Sequence, residues 1–274
     1  MPPRRAMPAI AEFWRDPALP HAESRRACRS RACYRPHSHP TFSVGAVDGG
    51  GSVFTGAPGG PVALRPGTLV FVPAGRVHAC NPLPGRAWSY QMLHLDARWL
   101  RGVWAAQGRD VGDDAIWLTR NPADYARFCR LNALLFSDAT THEKAAALVD
   151  FAGGCGPAAG QCLGGAPDAA VPGRRLRPVF EALENEPAPA PLAELARLAG
   201  MSRYQLIRAF RAATGMTPHA WQLNRRVNRA RERLAAGDGL ADIAYRLGFA
   251  DQSHFQRVFK AHAGVTPARY RVRA

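Results

Sequence analysis

The sequence predicts an α+β protein of two domains, in which an N-terminal β-barrel or sandwich with following helices precedes an all-α C-terminal domain. Three observations support this fold class. Short alternating apolar runs between Gly and Pro clusters fill residues 21–96, helical periodicity begins near Asp96, and one helical motif occurs twice within the last hundred residues. A chain of 274 residues is long enough for two domains of ordinary size.

Composition divides the chain into four parts. Residues 1–20 are Pro-rich without a clear period, which predicts a flexible arm, and residues 21–152 are expected to form the β-rich domain with its helices. Residues 153–172 are rich in Gly, Ala and Pro and predict a flexible linker, because such a composition cannot bury a core. Residues 173–274 are expected to form the helical domain.

The β-rich part contains runs such as TFSVGAV and TLVFVP, separated by turn sequences such as DGGGS and GAPGGP. Many short strands with regular turn signals are typical of a barrel or sandwich. After Asp96 the apolar residues recur at helical spacing, and Asn121 followed by Pro122 is a good N-cap and first-turn pair.

The net charge of +15 suggests a polyanionic partner, because Lys and Arg neutralise phosphates and release counterions. An Arg-rich genome would give part of the same excess. Most of it, however, lies in residues 173–274, as expected if that part of the chain contacts nucleic acid.

The cysteines and the apolar segments indicate the cellular compartment. None of the six cysteines forms a CxxC pair, and the start of the chain has no apolar signal region. No stretch reaches the ~18 consecutive apolar residues of a membrane span. These features predict a cytoplasmic protein with reduced thiols that makes no membrane contact.

The helical part contains an internal repeat, LAELARLAGMSRYQLIRAFRAATGMTP at 192–218 and LADIAYRLGFADQSHFQRVFKAHAGVTP at 240–267. Each copy has a short helix, a Gly that permits a sharp turn, a capping residue (Ser202 or Asp251) and a second helix. One residue is inserted within the turn of the second copy. The repeat predicts two helix-turn-helix motifs, at about 192–214 and 240–262, joined by a long basic amphipathic helix.

The second helix of each motif has one apolar face and one face suited to the major groove, where Arg can read guanine and Gln can read adenine. The interpretation is binding to double-stranded DNA, which would also associate the protein with the nucleoid; the alternative is a structural repeat with a solvated charged face. The predicted DNA-facing residues are Arg203, Tyr204, Ile207, Arg208 and Arg211 in the first helix, and Gln252, Ser253, His254, Gln256, Arg257 and Lys260 in the second.

The motifs GMSRYQLIRAFRAATGMTP and GFADQSHFQRVFKAHAGVTPARYR closely resemble those of the AraC/XylS family of bacterial transcription regulators. The resemblance covers residues 173–274 and implies seven helices in two subdomains, with the second helix of each motif in the major groove. It implies base-facing positions at Tyr204, Ile207, Arg208, Ser253, His254 and Arg257. Ile207 departs from the polar residue often found there, so it either meets a thymine methyl group or reads no base.

The segments RPHSHPTFSVGAV and LRPGTLVFVPAGRVHACN resemble the sensor domain of the same family, a cupin-like β-barrel followed by dimerisation helices. This resemblance implies a homodimer with a small-molecule effector in the barrel. It also implies an activator of transcription, with RNA polymerase as a further partner.

Three histidines, His37, His39 and His78, occupy positions that bind metal in cupin enzymes. No Glu follows His39 at the usual interval, because positions 43 and 44 are Ser and Val. We therefore expect no metal, no cofactor and no enzymatic activity. The same histidines could instead line an effector pocket together with the strand residues Trp88, Tyr90 and His94, whose other interpretation is plain barrel core.

Two other functions stay open from the sequence. One is a metal-dependent cupin enzyme fused to a DNA-binding domain, and the other is a DNA-binding protein that responds to no effector.

Overall fold

The computed structural model describes residues 10–109, 115–154, 160–164, 173–185 and 190–271. The strands are β1 (Ile10–Arg15), β2 (Ala22–Ser30), β3 (Thr41–Gly49), β4 (Ser52–Thr55), β5 (Val62–Leu64), β6 (Leu69–Val72), β7 (Ala79–Pro82), β8 (Trp88–Asp96), β9 (Ile116–Thr119) and β10 (Gln161–Gly164). The helices are α1 (Ala97–Ala106), α2 (Pro122–Leu135), α3 (Thr141–Gly154), α4 (Arg177–Asn185), α5 (Leu192–Leu198), α6 (Arg203–Thr214), α7 (Pro218–Ala235), α8 (Leu240–Arg246), α9 (Gln252–Ala263) and α10 (Pro267–Arg271).

The N-terminal strands form two antiparallel sheets, one with the order β1-β2-β8-β3-β6-β9-β10 and one with the order β5-β4-β7. Strand β8 shows how the sheet separates two environments. Leu93 and Leu95 are buried in the core on one face, and Tyr90 and His94 lie on the other, as period-two alternation requires. The predicted α+β fold class, with a β-rich N-terminal part and a helical C-terminal part, is confirmed.

Helices α1 to α3 pack on the large sheet. Their aromatic residues Trp104, Phe128 and Phe151 belong to the same buried cluster as Leu93 and Leu95 of β8. The predicted cap of α2 is present: the Asn121 side chain accepts a hydrogen bond from the backbone N–H of Ala123 at 2.8 Å. The helices therefore complete the core of the β-rich part.

The predicted flexible arm at 1–20 is wrong for its second half, because residues 10–15 form β1, which pairs antiparallel with β2. The side chains of Phe13 and Trp14 are both buried, on opposite faces of this strand. Trp14 packs in the barrel core, whereas Phe13 packs in the core of the second helix-turn-helix. The partners of Phe13 belong to the C-terminal part of the chain, so no local pattern indicates its burial. Residues 1–9 lie outside the described residues.

The predicted flexible linker at 153–172 is also wrong in part. Helix α3 continues to Gly154, and β10 pairs antiparallel with β9 at the edge of the sheet. An edge strand is held by backbone hydrogen bonds and needs few apolar side chains, so the composition of QCLG did not indicate it. Strand β9 was likewise missed, since a four-residue buried run is too short to show a period. Residues 155–159 and 165–172 lie outside the described residues.

The predicted helix-turn-helix motifs are α5 with α6 and α8 with α9. Gly200 and Gly248 make the turns with φ of 59° and 67°. Ser202 accepts from the N–H of Gln205, whose side chain bonds back to Ser202, and Asp251 accepts from the N–H of His254 at 2.6 Å. Both second helices therefore begin at the residues that the repeat indicated.

Helix α7 joins the two motifs and belongs to both of their cores. Trp221 packs on the cluster of the first motif, and Val227 and Leu234 pack in the cluster of the second. A helix of 18 residues spans ~27 Å, so it holds the motifs apart at a fixed distance. Among the described residues, no helix combines the length and apolar character needed to cross a bilayer.

Candidate functional site

Helices α6 and α9 expose the faces that the sequence predicted to meet DNA. Their apolar residues, such as Phe210 and Phe259, are fully buried. Tyr204 is 70% exposed, and the Arg208 guanidinium lies 5.7 Å from its ring centroid. Of the predicted DNA-facing residues, Arg203, Tyr204, Arg208, Arg211, Gln252, Ser253, Arg257 and Lys260 are exposed, while Ile207, His254 and Gln256 are half-buried.

His254 is partly committed within its own motif. Its Nδ1 accepts a hydrogen bond from the backbone N–H of Ala250 at 3.3 Å, and its ring packs edge-on against Phe249. The proton of a neutral imidazole in this arrangement is on Nε2, so the ring offers a donor to the outside. His254 is therefore held in a fixed orientation at the start of α9.

A cavity of about 310 Å³ lies between the barrel and the helices α7, α9 and α10. Trp88 and Tyr90 line this cavity and also pack in a buried cluster of the barrel. They therefore belong to both the pocket and the barrel core. All six residues predicted to form an effector pocket line this one cavity: His37, His39, His78, Trp88, Tyr90 and His94.

Two of the histidines face each other across an antiparallel bridge. The N–H of His37 donates to the carbonyl of His78 at 3.0 Å, and the reverse bond is 2.9 Å. Each ring donates its Nδ1–H to the carbonyl two residues before it, at 2.7 Å to Arg35 and 2.9 Å to Arg76. Their Nε2 atoms are therefore unprotonated acceptors.

Burial keeps the histidines of the cavity neutral. It lowers the pKa of His78 and of His94 to about 4, and it lowers the pKa values of His37 and His39 well below the usual value. For Glu23 burial acts to raise the pKa, but the Arg15 guanidinium at 2.6 Å, together with His94 and Arg231, lowers the pKa overall. The free positive charge of the cavity therefore comes from guanidinium groups.

Two guanidinium groups, one from each part of the chain, lie at the cavity. Arg231 of α7 donates through Nη1 to Nδ1 of His39 at 2.7 Å, and Arg25 of β2 donates through Nη1 to the carbonyl of Ala263 at 2.7 Å. The Nε atom of each is buried and has no hydrogen-bond partner among the described residues. Buried donors without a partner are costly, so the cavity favours a hydrogen-bond acceptor at these two atoms.

The barrel and the helices α7 to α10 are joined by buried polar contacts. Asn224 of α7 accepts from the N–H of Ser38 at 3.2 Å and donates to its carbonyl at 3.2 Å and to its Oγ at 2.9 Å. Asn228 donates to the same carbonyl at 3.0 Å. We call these contacts the seam. Because both asparagines lie on α7, the seam ties the barrel to the helix that holds the two motifs.

The barrel also touches the ends of both DNA-facing helices. Gly215 and Gly264 end α6 and α9 in the left-handed region, with φ of 79° and 70°. A Cβ at Gly215 would lie 3.3 Å from the Val77 side chain, and one at Gly264 would lie 2.5 Å from the Tyr34 hydroxyl. The barrel therefore lies close to the C-terminal ends of both α6 and α9.

Comparison with known families accounts for both parts of the chain. Residues 21–150 match the family model of the AraC-like ligand binding domain, and residues 195–273 match that of a helix-turn-helix domain. The chain belongs to the AraC family of transcription regulators. The family resemblance stated from the sequence is thereby confirmed, and AraC-family members bind DNA through this helix-turn-helix region.

Two curated relatives resemble the DNA-binding region of this AraC-family chain. The regulatory protein ada of Salmonella typhimurium is 43% identical over 89 residues, and the bifunctional transcriptional activator/DNA repair enzyme Ada of Escherichia coli is 40% identical over 89 residues. Each match covers 32% of this chain and 25% of the relative, so this chain spans a quarter of the length of either.

Solved structures resemble the whole AraC-family chain. The structure of ToxT from Vibrio cholerae strain SCE256 with a bound unsaturated fatty acid has a TM-score of 0.54 and covers 96% of this chain and 94% of its own. The two chains are 12% identical. At that identity the likeness shows that they share a fold.

Sequence reasoning missed the half of the cavity that the DNA-binding part supplies. Asn224, Asn228 and Arg231 recur at helical spacing along α7, which is a usable signal, but the helix was interpreted as a basic spacer. The barrel residues Arg25 and Tyr34 carry no local signal. The lining residues from the C-terminal part are Asn228, Arg231, Glu232, Ala235, His262, Ala263 and Tyr270.

Proposed function

We propose that this chain regulates transcription by binding specific DNA through α6 and α9, and that a small anionic molecule in the cavity changes that binding. The observation that carries the proposal is the cavity itself, in which buried Nε donors of Arg25 and Arg231 come from the two parts of the chain. We assign residues 21–152, together with β1 and β10 of the same sheet, to the effector-binding and dimerisation domain, and residues 173–274 to the DNA-binding domain.

The two DNA-facing helices would read successive major grooves. Arg208 and Arg257 stand at equivalent, exposed positions of α6 and α9, where a guanidinium can bond a guanine edge. Ile207 would meet a thymine methyl group or no base, whereas α9 presents Gln252, Ser253 and Gln256 nearby. We infer that the second motif contributes more of the base reading than the first.

The effector we propose is a carboxylate with an apolar body. Trp88, Tyr90 and Met92 supply an apolar wall, and the guanidinium groups of Arg25 and Arg231 supply charge-assisted hydrogen bonds. The fatty acid bound by ToxT, a protein of the same fold, supports this class. Such a ligand would favour whichever arrangement of barrel and α7 lets it contact both, which is the condition for it to alter DNA binding.

Arg25→Met is expected to weaken binding of a carboxylate ligand about 10- to 100-fold, because a hydrogen bond to a charged group contributes ~1.5–3 kcal/mol. Calorimetric titration of the full chain with an unsaturated fatty acid and with an aromatic carboxylic acid measures the loss. Arg26→Met is the matched control, since Arg26 is the next residue and pairs with Glu12 on the exposed face. Equal affinity of both variants, or of acid and methyl ester for the native chain, contradicts the assignment.

Regulation itself is tested with DNA. The native chain should protect two half-sites in a fragment selected from a random pool, and the ligand found above should change transcription from that fragment by purified RNA polymerase. We propose activation, since the E. coli relative is described as a transcriptional activator. Protection that is the same with and without every ligand tested would favour an effector-independent DNA-binding protein.

We propose no enzymatic activity for this chain. Cys80 is a nucleophilic side chain that lines the cavity, and burial raises the pKa of its thiol to about 12, so it remains protonated and unreactive. A metal-dependent cupin enzyme would convert a substrate into a product. A regulator would bind its ligand and release it unchanged.

We propose a homodimer formed through α1 and α3. A shallow apolar groove between these helices is lined by Trp99, Val103 and Val149, and Val149 is 44% exposed. Val149→Glu is expected to weaken dimerisation at least tenfold, about 1.4 kcal/mol, because a two-fold contact buries the new charge twice. Sedimentation equilibrium measures this. Leu83→Glu, at a side chain 43% exposed on the barrel, is the control, and equal effects of the two substitutions would place the dimer contact elsewhere.

A further inference from the structure

Three buried histidines form a cluster on the barrel side of the cavity. One ring nitrogen from each of His37, His39 and His78 lies within 4.8 Å of the others. The ring centroid of His37 is 4.8 Å from those of both His39 and His78. The sequence predicted no metal here because a carboxylate is missing, but three imidazoles are by themselves a sufficient ligand set for some ions.

The surroundings of two of these rings orient them as ligands. The Nδ1–H groups of His37 and His78 are held by the carbonyls of Arg35 and Arg76, which leaves each Nε2 unprotonated. A carbonyl on the second nitrogen is the usual support of a metal-binding histidine. Imidazole ligands suit late first-row transition ions, whereas Mg²⁺ and Ca²⁺ require oxygen.

We propose that His37, His39 and His78 bind one divalent late first-row transition ion such as Zn²⁺ or Co²⁺, and that binding of the ion releases Arg231 of α7 from His39. The cluster would thus be a metal site that acts on the contact between the barrel and the DNA-binding domain. Binding of the ion does not depend on the proposed effector. Its consequence for DNA binding does rest on the proposed function.

The release follows from the lone pairs of His39. A guanidinium only donates, so Nδ1 of His39, 2.7 Å from Nη1 of Arg231, must accept, and the ring proton is on Nε2. A metal that binds Nδ1 takes the lone pair that Arg231 uses. A metal that binds Nε2 moves the proton to Nδ1, which then faces the donors of Arg231. The ion and the Arg231 hydrogen bond therefore exclude each other.

Because the ion and the Arg231 hydrogen bond exclude each other, the affinity for the ion depends on Arg231. Whatever free energy the metal loses in displacing Arg231, it regains when Arg231 is absent, because the coupling is reciprocal. Removal of a guanidinium charge beside the site acts in the same direction. Arg231→Ala is therefore expected to tighten metal binding, although it removes a polar residue from the site.

The experiment is titration of the chelator-treated full chain with Co²⁺ alone, followed by the visible absorption of the ligated ion and by displacement with Zn²⁺. We expect one Co²⁺ per chain, binding at least 100-fold weaker in His37→Ala and His78→Gln, and binding about tenfold tighter in Arg231→Ala. His142→Ala, at an exposed side chain of α3, should bind as the native chain does. Arg233→Ala removes the same charge from α7 at the Asp238 ion pair and should also leave the affinity unchanged.

Two results would overturn the proposal. Native-like Co²⁺ affinity in both histidine variants, with thermal unfolding that shows them folded, would exclude the site. Unchanged or weaker affinity in Arg231→Ala would exclude the release of Arg231. If no carboxylate ligand binds, or if the chain does not bind DNA, the proposed function is overturned. The Co²⁺ titration would still test the metal site, because ion binding does not depend on the effector.

Discussion

Replacing both Arg208 and Arg257 with alanine is expected to weaken binding to the selected DNA roughly 10²- to 10⁴-fold. Each arginine that reads a base contributes ~1–3 kcal/mol. The two residues lie on separate helices, α6 and α9, whose cores are distinct, so their contributions should add. This is the largest functional effect that the structure predicts for a surface change, since both side chains are exposed and their loss leaves each fold intact.

The measurement compares the selected fragment with random DNA of the same length, at one stated salt concentration. Base-reading arginines should lose affinity for the selected fragment much more than for random DNA. The control is Arg65→Ala with Arg86→Ala, which removes the same charge from two exposed positions of the barrel. Equal losses on both DNAs would instead assign Arg208 and Arg257 to phosphate contacts.

Asn224→Ala is expected to lower the free energy of unfolding by ~2–4 kcal/mol. The Asn224 side chain satisfies both the backbone N–H and the carbonyl of Ser38, and both residues are buried. Removing it leaves these groups with fewer partners in a buried place, which costs ~1–3 kcal/mol for each group left unpaired. Alanine favours a helix more than asparagine does, so the substitution slightly stabilises α7 itself. A net loss of stability would therefore come from the seam.

Urea unfolding of the full chain measures this change, with the slope showing whether the barrel and the DNA-binding domain still unfold together. Asn228→Ala is the graded control, because Asn228 donates one hydrogen bond to the same carbonyl and is less buried. We expect it to cost about half as much or less. If Asn224→Ala lowers the free energy of unfolding by no more than Asn228→Ala does, the hydrogen bonds between Asn224 and Ser38 do not stabilise the contact between the two domains.

The parts of this protein that could be predicted have local signals. The second motif could be placed to within a residue because three of its positions have local requirements. Gly248 adopts a positive φ in the turn, Asp251 caps α9, and Phe255 lies on the buried face of α9. The sequence could also group Trp88, Tyr90 and His94 on one face of β8, because these residues follow the two-residue period of a strand.

The parts that could not be predicted depend on partners far along the chain. Strand β1 pairs with the neighbouring β2, but its Phe13 fits the core around Tyr270, near the other end of the chain. In the same way, the spacing of Arg231 from Asn224 and Asn228 marks one polar face of α7, but it does not indicate that the guanidinium meets His39, 192 residues away. Such contacts satisfy side chains that look like ordinary solvated arginines and asparagines in the sequence.

The sequence by itself therefore determined the family, the order of the two domains, the two helix-turn-helix motifs and six of the barrel residues that line the cavity, because these follow from periodicity, caps and turns within short stretches. Only the tertiary structure decided that the cavity lies between the domains and that Arg25 and Arg231 approach it from opposite sides. It also decided that three histidines from two loops form one cluster. The physical reason is that burial and hydrogen-bond partners across a domain contact are set by packing, which no local pattern records.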